Sequence, residues 1–274
     1  MRYILILFVF TVGPGLPVQA QELHDGHIHY NQTIWRDLPP DHALEYMTES
    51  GISRAIVSST PTEGTERLYR LAPDRVIPFI RPYRTLADVM SWHNNREILS
   101  HIKKKAVTGI YRGFGEFHMW IEHMPGSIIP ELAQFAADQG WALSAHTDAE
   151  SIEALAKMQP TVPVIWAHCG FDYPAAGVQQ LMERYANVYC DLSLQETMTD
   201  EDDNLTPVWQ ALLERHPDRF LVGMDTNKAK RWGNLTVNVE LAKEWLGQLS
   251  PRAAQLVASG NISRLFPPKA RDKM

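Results

Sequence analysis

From Glu22 onward, short runs rich in β-branched and aromatic residues alternate with longer stretches whose apolar residues recur at three- and four-residue intervals. The short runs suit strands buried on both faces, and the longer stretches suit the helices that cover them. Strands are predicted at Leu23–His29, Ser53–Ser58, Val76–Pro82, Val107–Phe117, Ala142–His146, Val162–His168, Val188–Leu192 and Phe220–Asp225. Helices are predicted near Asp41–Ser50, Thr65–Ala72, Asp88–Lys104, Ile128–Gln139, Glu150–Met158, Ala175–Tyr185, Pro207–Arg215 and Leu235–Leu246. Strict alternation predicts an α/β fold, a (β/α)8 TIM barrel with a C-terminal helical extension. A doubly wound open sheet shares the pattern, but the count of eight and the lack of a Gly-x-Gly-x-x-Gly turn after the first strand favour the barrel. No linker-like tract or internal repeat interrupts residues 21–274, which predicts one domain.

The first twenty residues read differently. Arg2, the apolar run Tyr3–Val12, Gly13-Pro14-Gly15 and Val18-Gln19-Ala20 have the order of a secretory signal peptide, cut after Ala20. The run is shorter than the roughly 20 residues that span a bilayer. The expected product is a soluble exported protein, periplasmic or secreted, with no stable membrane anchor after cleavage.

Composition narrows the partners. With 45% apolar and 21% charged residues, the chain is a folded globular protein rather than a disordered, collagenous or coiled-coil one. The formal net charge of −6 becomes −7 once Arg2 is removed, so no basic surface favours nucleic acid. A small-molecule substrate is the expected partner, and oligomeric state is not legible. Cys169 and Cys190 alone do not make a disulfide scaffold. Two buried thiols are the expectation, although neighbouring strands would allow one bridge.

Chemistry collects at the predicted strand ends. In His27-Ile28-His29 the two imidazoles share one strand face and could grip one metal ion, though such a pair also suits a plain core or surface strand. His146 ends the fifth strand, with small Ala142 and Ser144 on its parity. His168 ends the sixth and Asp225 the eighth. In a barrel all these ends meet at one rim, where the active sites of this architecture lie.

His27-x-His29, His146, His168 and Asp225, in this order on these strands, resemble the amidohydrolase superfamily of metal-dependent barrels. Asp25-Gly-His-Ile-His29, Ala167-His-Cys-Gly170, Gly223-Met-Asp225 and Gly260-Asn-Ile-Ser-Arg-Leu-Phe266 look most like its amidohydrolase-related branch, which holds hydrolases, lactonases and decarboxylases. The resemblance implies that His27, His29 and His146 bind a divalent metal, most simply Zn and otherwise Mn, as one or two ions. It implies that Asp225 ligates the metal, takes a proton from its bound water, or does both. His168 would be a ligand of a second metal or an acid/base group. A metal can lower the pKa of bound water to about 7, which fits a metal-dependent hydrolase acting on an ester, lactone or amide of a small, anionic molecule. The alternatives are decarboxylation of an unsaturated or aromatic acid, with His168 or Asp225 moving the proton, and an exported binding protein without turnover.

Glu116 stands where some superfamily members carry a bridging carboxylate, and no Lys lies in its strand to replace it. It is read as a bridge between two cations, as a rim carboxylate bonding substrate or a histidine, or as an ion-pair partner of Arg112. Its parity puts it inward with Phe114, and Trp166 is read as inward core below His168. Arg81, Tyr83, Lys228, Arg231 and Trp232 border the expected pocket and could bind an anionic group, although loop cations are usually only solvated. His118, with Trp120 and His123, is read as substrate-lining or as loop packing. His24, His42, His93, His101 and His216 fall on outward, helix or loop positions.

Overall fold

Short β-branched strands that must bury both faces have few ways to do so, and here they pair in parallel in chain order. In the computed structural model, which describes residues 22–268, these are β1 (Leu23–Ile28), β2 (Ile52–Val57), β3 (Val76–Ile80), β4 (Gly113–His118), β5 (Ala142–His146), β6 (Val164–Trp166), β7 (Val188–Asp191) and β8 (Phe220–Leu221). Gly26 N–H donates to the Val222 carbonyl (2.6 Å) and Asp225 N–H to that of His27 (2.8 Å), which brings the β8 end back against β1. The sheet is a barrel. The signal-peptide expectation falls on residues 1–20, outside those described. No helix among the described residues is long and apolar enough to cross a membrane.

Helices α1 (Pro40–Glu49), α2 (Glu63–Leu71), α3 (Arg96–Ala106), α4 (Ile129–Gln139), α5 (Ala149–Met158), α6 (Ala175–Arg184), α7 (Pro207–Arg215), α8 (Ala229–Gly233) and α9 (Leu235–Leu246) lie along the chain between and after the strands. The expected helix 88–104 is two 3-10 turns followed by α3, because the Asn95 side chain caps Glu97 N–H and starts the helix there. The expected strand 107–117 loses its first half. Val107 is 86% exposed just past the α3 terminus, so no sheet holds it.

Two apolar clusters divide the interior. The larger lies between strands and helices, and the smaller joins Ile56, Ile77, Phe79, Ala142, Ile165, Tyr189 and Leu221 inside the barrel with Ile262 and Phe266. The last two come from the terminal extension, α10 (Pro251–Gln255), a π-helical turn and α11 (Asn261–Leu265). Burying each such side chain contributes about 1.5–3 kcal/mol. The extension plugs the amino-terminal end, so the carboxyl ends of the strands carry whatever opening there is. Val164, Trp166 and Phe114 belong to the outer cluster, which corrects the inward placement of Trp166 and Phe114.

Candidate metal centre

The β1 end delivers His27 and His29, both buried, with their Nε2 atoms 2.9 Å apart. Their Nδ1 atoms face fixed acceptors. His27 Nδ1 lies 2.5 Å from Asp191 Oδ2 and His29 Nδ1 lies 2.5 Å from the Ser58 carbonyl oxygen. His168 Nδ1 faces the Ser193 carbonyl (3.0 Å) and Ser193 Oγ (2.9 Å), whose own hydroxyl donates to Asp191 Oδ2. In a neutral ring, an acceptor behind Nδ1 places the proton there and turns the Nε2 lone pair towards a cation. Three imidazoles are thus prepared as ligands.

Their Nε2 atoms gather around Glu116, which is buried. Glu116 Oε2 is 3.2 Å from His29 Nε2 and 3.7 Å from His27 Nε2, while Oε1 is 2.9 Å from His146 Nδ1 and 3.5 Å from His168 Nε2. Asp225 Oδ1 lies 3.8 and 3.6 Å from the Nε2 atoms of His27 and His29. The ligand atoms of His27, His29 and Asp225 lie within 4.8 Å of one another, as do those of His27, Glu116 and His168. Lone pairs 2.9 Å apart and ringed by carboxylates repel unless a proton or a cation sits among them. With protons alone, burial would lower His27, but the Asp191 and Glu116 carboxylates outweigh it and hold the imidazole well above its usual range. Burial would likewise raise Glu116, and the imidazoles of His27, His146 and His168 hold it well below. The nitrogen and oxygen donor set suits Zn or Mn, so the residues fit such a cation.

Local chain geometry makes this possible. The β4–β5 register slips between Gly115 and Phe117, so Phe114 and Phe117 both pack outward, their ring centroids 5.2 Å apart, and the extra residue, Glu116, turns inward. Gly115 has φ +124°, and a Cβ there would overlap the Ser144 carbonyl. Glu116 therefore reaches the centre through a bulge and not by sharing the parity of Phe114. Past Trp166, His168 (φ 58°) and Cys169 (φ 48°) are left-handed and swing the imidazole over the barrel mouth. A Cβ on Gly223 would overlap Asp191 Oδ1, so the bare backbone lets that carboxylate reach His27. Asp25 Oδ1 accepts from His27 N–H and Met224 N–H, but among the described residues its Oδ2 has no hydrogen-bond partner, and burial pushes the carboxyl up to about 8.

Solved structures with this chain trace were found, although no family model matches the sequence and no curated protein matches it. An uncharacterised TIM-barrel protein from Bordetella bronchiseptica superposes with TM-score 0.62 at 15% identity, over 82% of this chain and 81% of that one. A TatD homologue from Escherichia coli K12 gives 0.62 at 13%, over 90% and 98%. The 4-oxalomesaconate hydratase of Rhodopseudomonas palustris gives 0.58 at 14%, over 89% and 95%. The fold is the TIM barrel.

On this barrel the weaker expectations separate. Arg81 is no open border cation. It is buried, and its Nη2 lies 2.6 Å from Glu116 Oε2. Arg112 bonds the Pro267 carbonyl near the chain's end, which removes it as the partner of Glu116. Trp232 is buried and its Nε1–H donates to the His29 carbonyl (3.0 Å), so it braces a histidine. Tyr83 is buried with its hydroxyl against His118, Lys228 is exposed, and Arg231 Nη1 stands 3.5 Å from Asp225 Oδ2. Trp120 backbone N–H bonds His123 Nδ1 in the loop beyond. His24, expected outward, is buried and bonds Ser263 of the terminal plug. Cys169 and Cys190 form a disulfide, against the expectation of free thiols, because β6 and β7 are paired neighbours and the turn at Cys169 brings the Cα atoms to 4.9 Å. Sequence reasoning missed Asp191, Ser193 and Ser58. Asp191 had a readable signal, since it sits two residues beyond inward Tyr189 at a strand end.

Proposed function

We propose that this chain is a metal-dependent hydrolase of the amidohydrolase type, acting on a carbonyl centre of a small molecule. The observation that carries the reading is the convergence of three Nε2 atoms on Glu116, each in a ring backed by a fixed acceptor at Nδ1. His27, His29 and Asp225 would hold one cation and His146 and His168 a second, with Glu116 between them, because its two oxygens face different histidine sets. When bound, such cations supply a water of lowered pKa and polarise the carbonyl. Asp225 would accept the proton of the attacking water and pass it to the leaving group, while Asp191 and Ser58 keep the imidazoles oriented. Arg81 fixes the Glu116 carboxylate.

We also propose that the protein works outside the reducing cytosol. The leader-like first twenty residues and the Cys169–Cys190 bond both support this.

Metal content of protein purified without chelators and reloaded with Zn²⁺ or Mn²⁺ tests the site. Two ions per chain are expected, falling towards one in Glu116→Gln, because an amide is a poor bridge. A wild type that never exceeds one ion would remove the bridge and return His168 to an acid/base role. Lactones, esters, amides and unsaturated acids then test the reaction, since hydrolysis consumes water whereas decarboxylation releases CO₂.

A further inference from the structure

We propose that His118 is fixed as a neutral imidazole protonated on Nε2, and that this N–H donates a hydrogen bond to a substrate oxygen. The argument is a proton count. The Tyr83 hydroxyl accepts the backbone N–H of His118 at 2.6 Å and lies 2.8 Å from His118 Nδ1. With that backbone proton already received, the hydroxyl has its own proton to give, and the acceptor beside it is Nδ1. A ring that accepts at Nδ1 carries its proton on Nε2. This is the reverse of His27, His29 and His168, where carbonyl, carboxylate or hydroxyl oxygens accept from Nδ1 and leave Nε2 bare.

Distance alone would admit His118 as a ligand, since its donor atom lies within 4.8 Å of those of Glu116 and His146. The proton count does not, because one nitrogen is occupied by Tyr83 and the other carries hydrogen. Its ring centroid is 4.3 Å from that of His146, so the ring stands at the edge of the candidate metal centre. The ring is half-buried, and among the described residues Nε2 makes no hydrogen bond. A donor held beside a polarised carbonyl matches the oxyanion that forms when water adds to it. The substrate-oxygen half of the proposal rests on the hydrolase reading, whereas the tautomer does not.

Two measurements test it. Nitrogen-15 imidazole spectra of the metal-free and Zn²⁺-loaded protein should show His118 protonated on Nε2 in both, with His27, His29 and His168 protonated on Nδ1 and changing at Nε2 when zinc enters. Protonation of His118 on Nδ1, or a ligation shift at His118, would overturn the assignment. Calorimetry with methylphosphonate, a tetrahedral anion shaped like the water adduct of an acetyl group, should show binding to zinc-loaded wild type. His118→Phe should weaken it about 10- to 100-fold, the range for a hydrogen bond to a charged group, with metal content unchanged. His118→Gln, which keeps an N–H donor, should recover most of the affinity. Absence of binding in wild type, equal affinity in His118→Phe, or loss of metal from it would each overturn the donor role. If the probe binds through His118 but no ester, lactone or amide is turned over, the donor stands and the hydrolase reading falls.

Discussion

At the amino-terminal end of the strands the barrel closes on Phe79, Ile262 and Phe266, while at the carboxyl end it closes on four histidines and three carboxylates. The lower end satisfies itself. Arg54 donates to the Phe266 carbonyl, Arg112 to that of Pro267, and Asn261 Nδ2 to those of Pro217 and Phe220. These donors meet carbonyls supplied by the chain, although Arg54 Nε and His24 Nδ1 find no hydrogen-bond partner among the described residues. At the upper end like faces like, with Nε2 lone pairs 2.9 Å apart and the Glu116 and Asp225 oxygens gathered around them. The interior of one end is filled by the chain's own apolar side chains, and the other, on the proposed function, would be completed by cations.

The largest expected effect tests the upper end. Replacing His27 and His29 together by Gln keeps amide donors for Asp191 and Ser58 but removes two ligand nitrogens. Metal uptake and turnover should fall below detection while circular dichroism still reports a folded barrel. Zinc at a thousand times its Kd should stabilise wild type by about 4.1 kcal/mol and leave this variant unmoved. Unchanged zinc stoichiometry in the folded variant would break the contrast. At the lower end, Phe79→Ala should cost about 3–5 kcal/mol of unfolding free energy, because the ring is fully buried against Phe266 with centroids 5.6 Å apart. Zinc affinity of its folded fraction should match wild type.

Much of this division was legible in the chain. Strand order follows from eight β-branched runs, and the rim histidines and Asp225 from residues that end four of them. What escaped depended on departures from regular parity. Glu116 turns inward only because Gly115 permits a bulge, and His168 arrives by left-handed residues, so counting in twos misplaced Phe114 and Trp166. The roles of Tyr83, Arg81 and Trp232 depend on partners between about 35 and 200 positions away, which no local pattern discloses. The pairing of Cys169 with Cys190 needed the same left-handed turn.

That pairing gives the next effect in size. The bridge closes a loop with a sequence separation of 21 residues, and replacing both cysteines by Ala should lower stability by about 2–4 kcal/mol, measured by urea unfolding of the metal-free protein. Since the bond joins the residue after His168 to the residue before Asp191, zinc affinity should fall as well. A variant that loses stability but keeps wild-type affinity would show that the bond serves the wall of the barrel and not its mouth.

The smallest effect concerns Asp191, which is not itself a proposed ligand yet accepts from His27 Nδ1 at 2.5 Å and from the Ser193 hydroxyl at 2.9 Å. Burial would raise its carboxyl, but the charge and hydrogen bond of His27, with His168 and the Ser193 N–H, together hold it below the usual range. Asp191→Asn keeps the volume and an acceptor oxygen but removes the charge, so the His27 imidazole becomes a weaker base towards a cation. Zinc affinity should drop about 10- to 100-fold, as for other carboxylates behind a ligand histidine, with stoichiometry unchanged at saturation. The Asn amide can also turn its NH₂ towards Nδ1, which would force the His27 proton onto Nε2 and close that ligand position; imidazole nitrogen spectra distinguish this from simple weakening. If Asp191→Asn binds zinc as wild type does, the fixed acceptors behind the imidazoles orient rings for packing alone, and the contrast between the two ends rests on His29, His168 and Glu116.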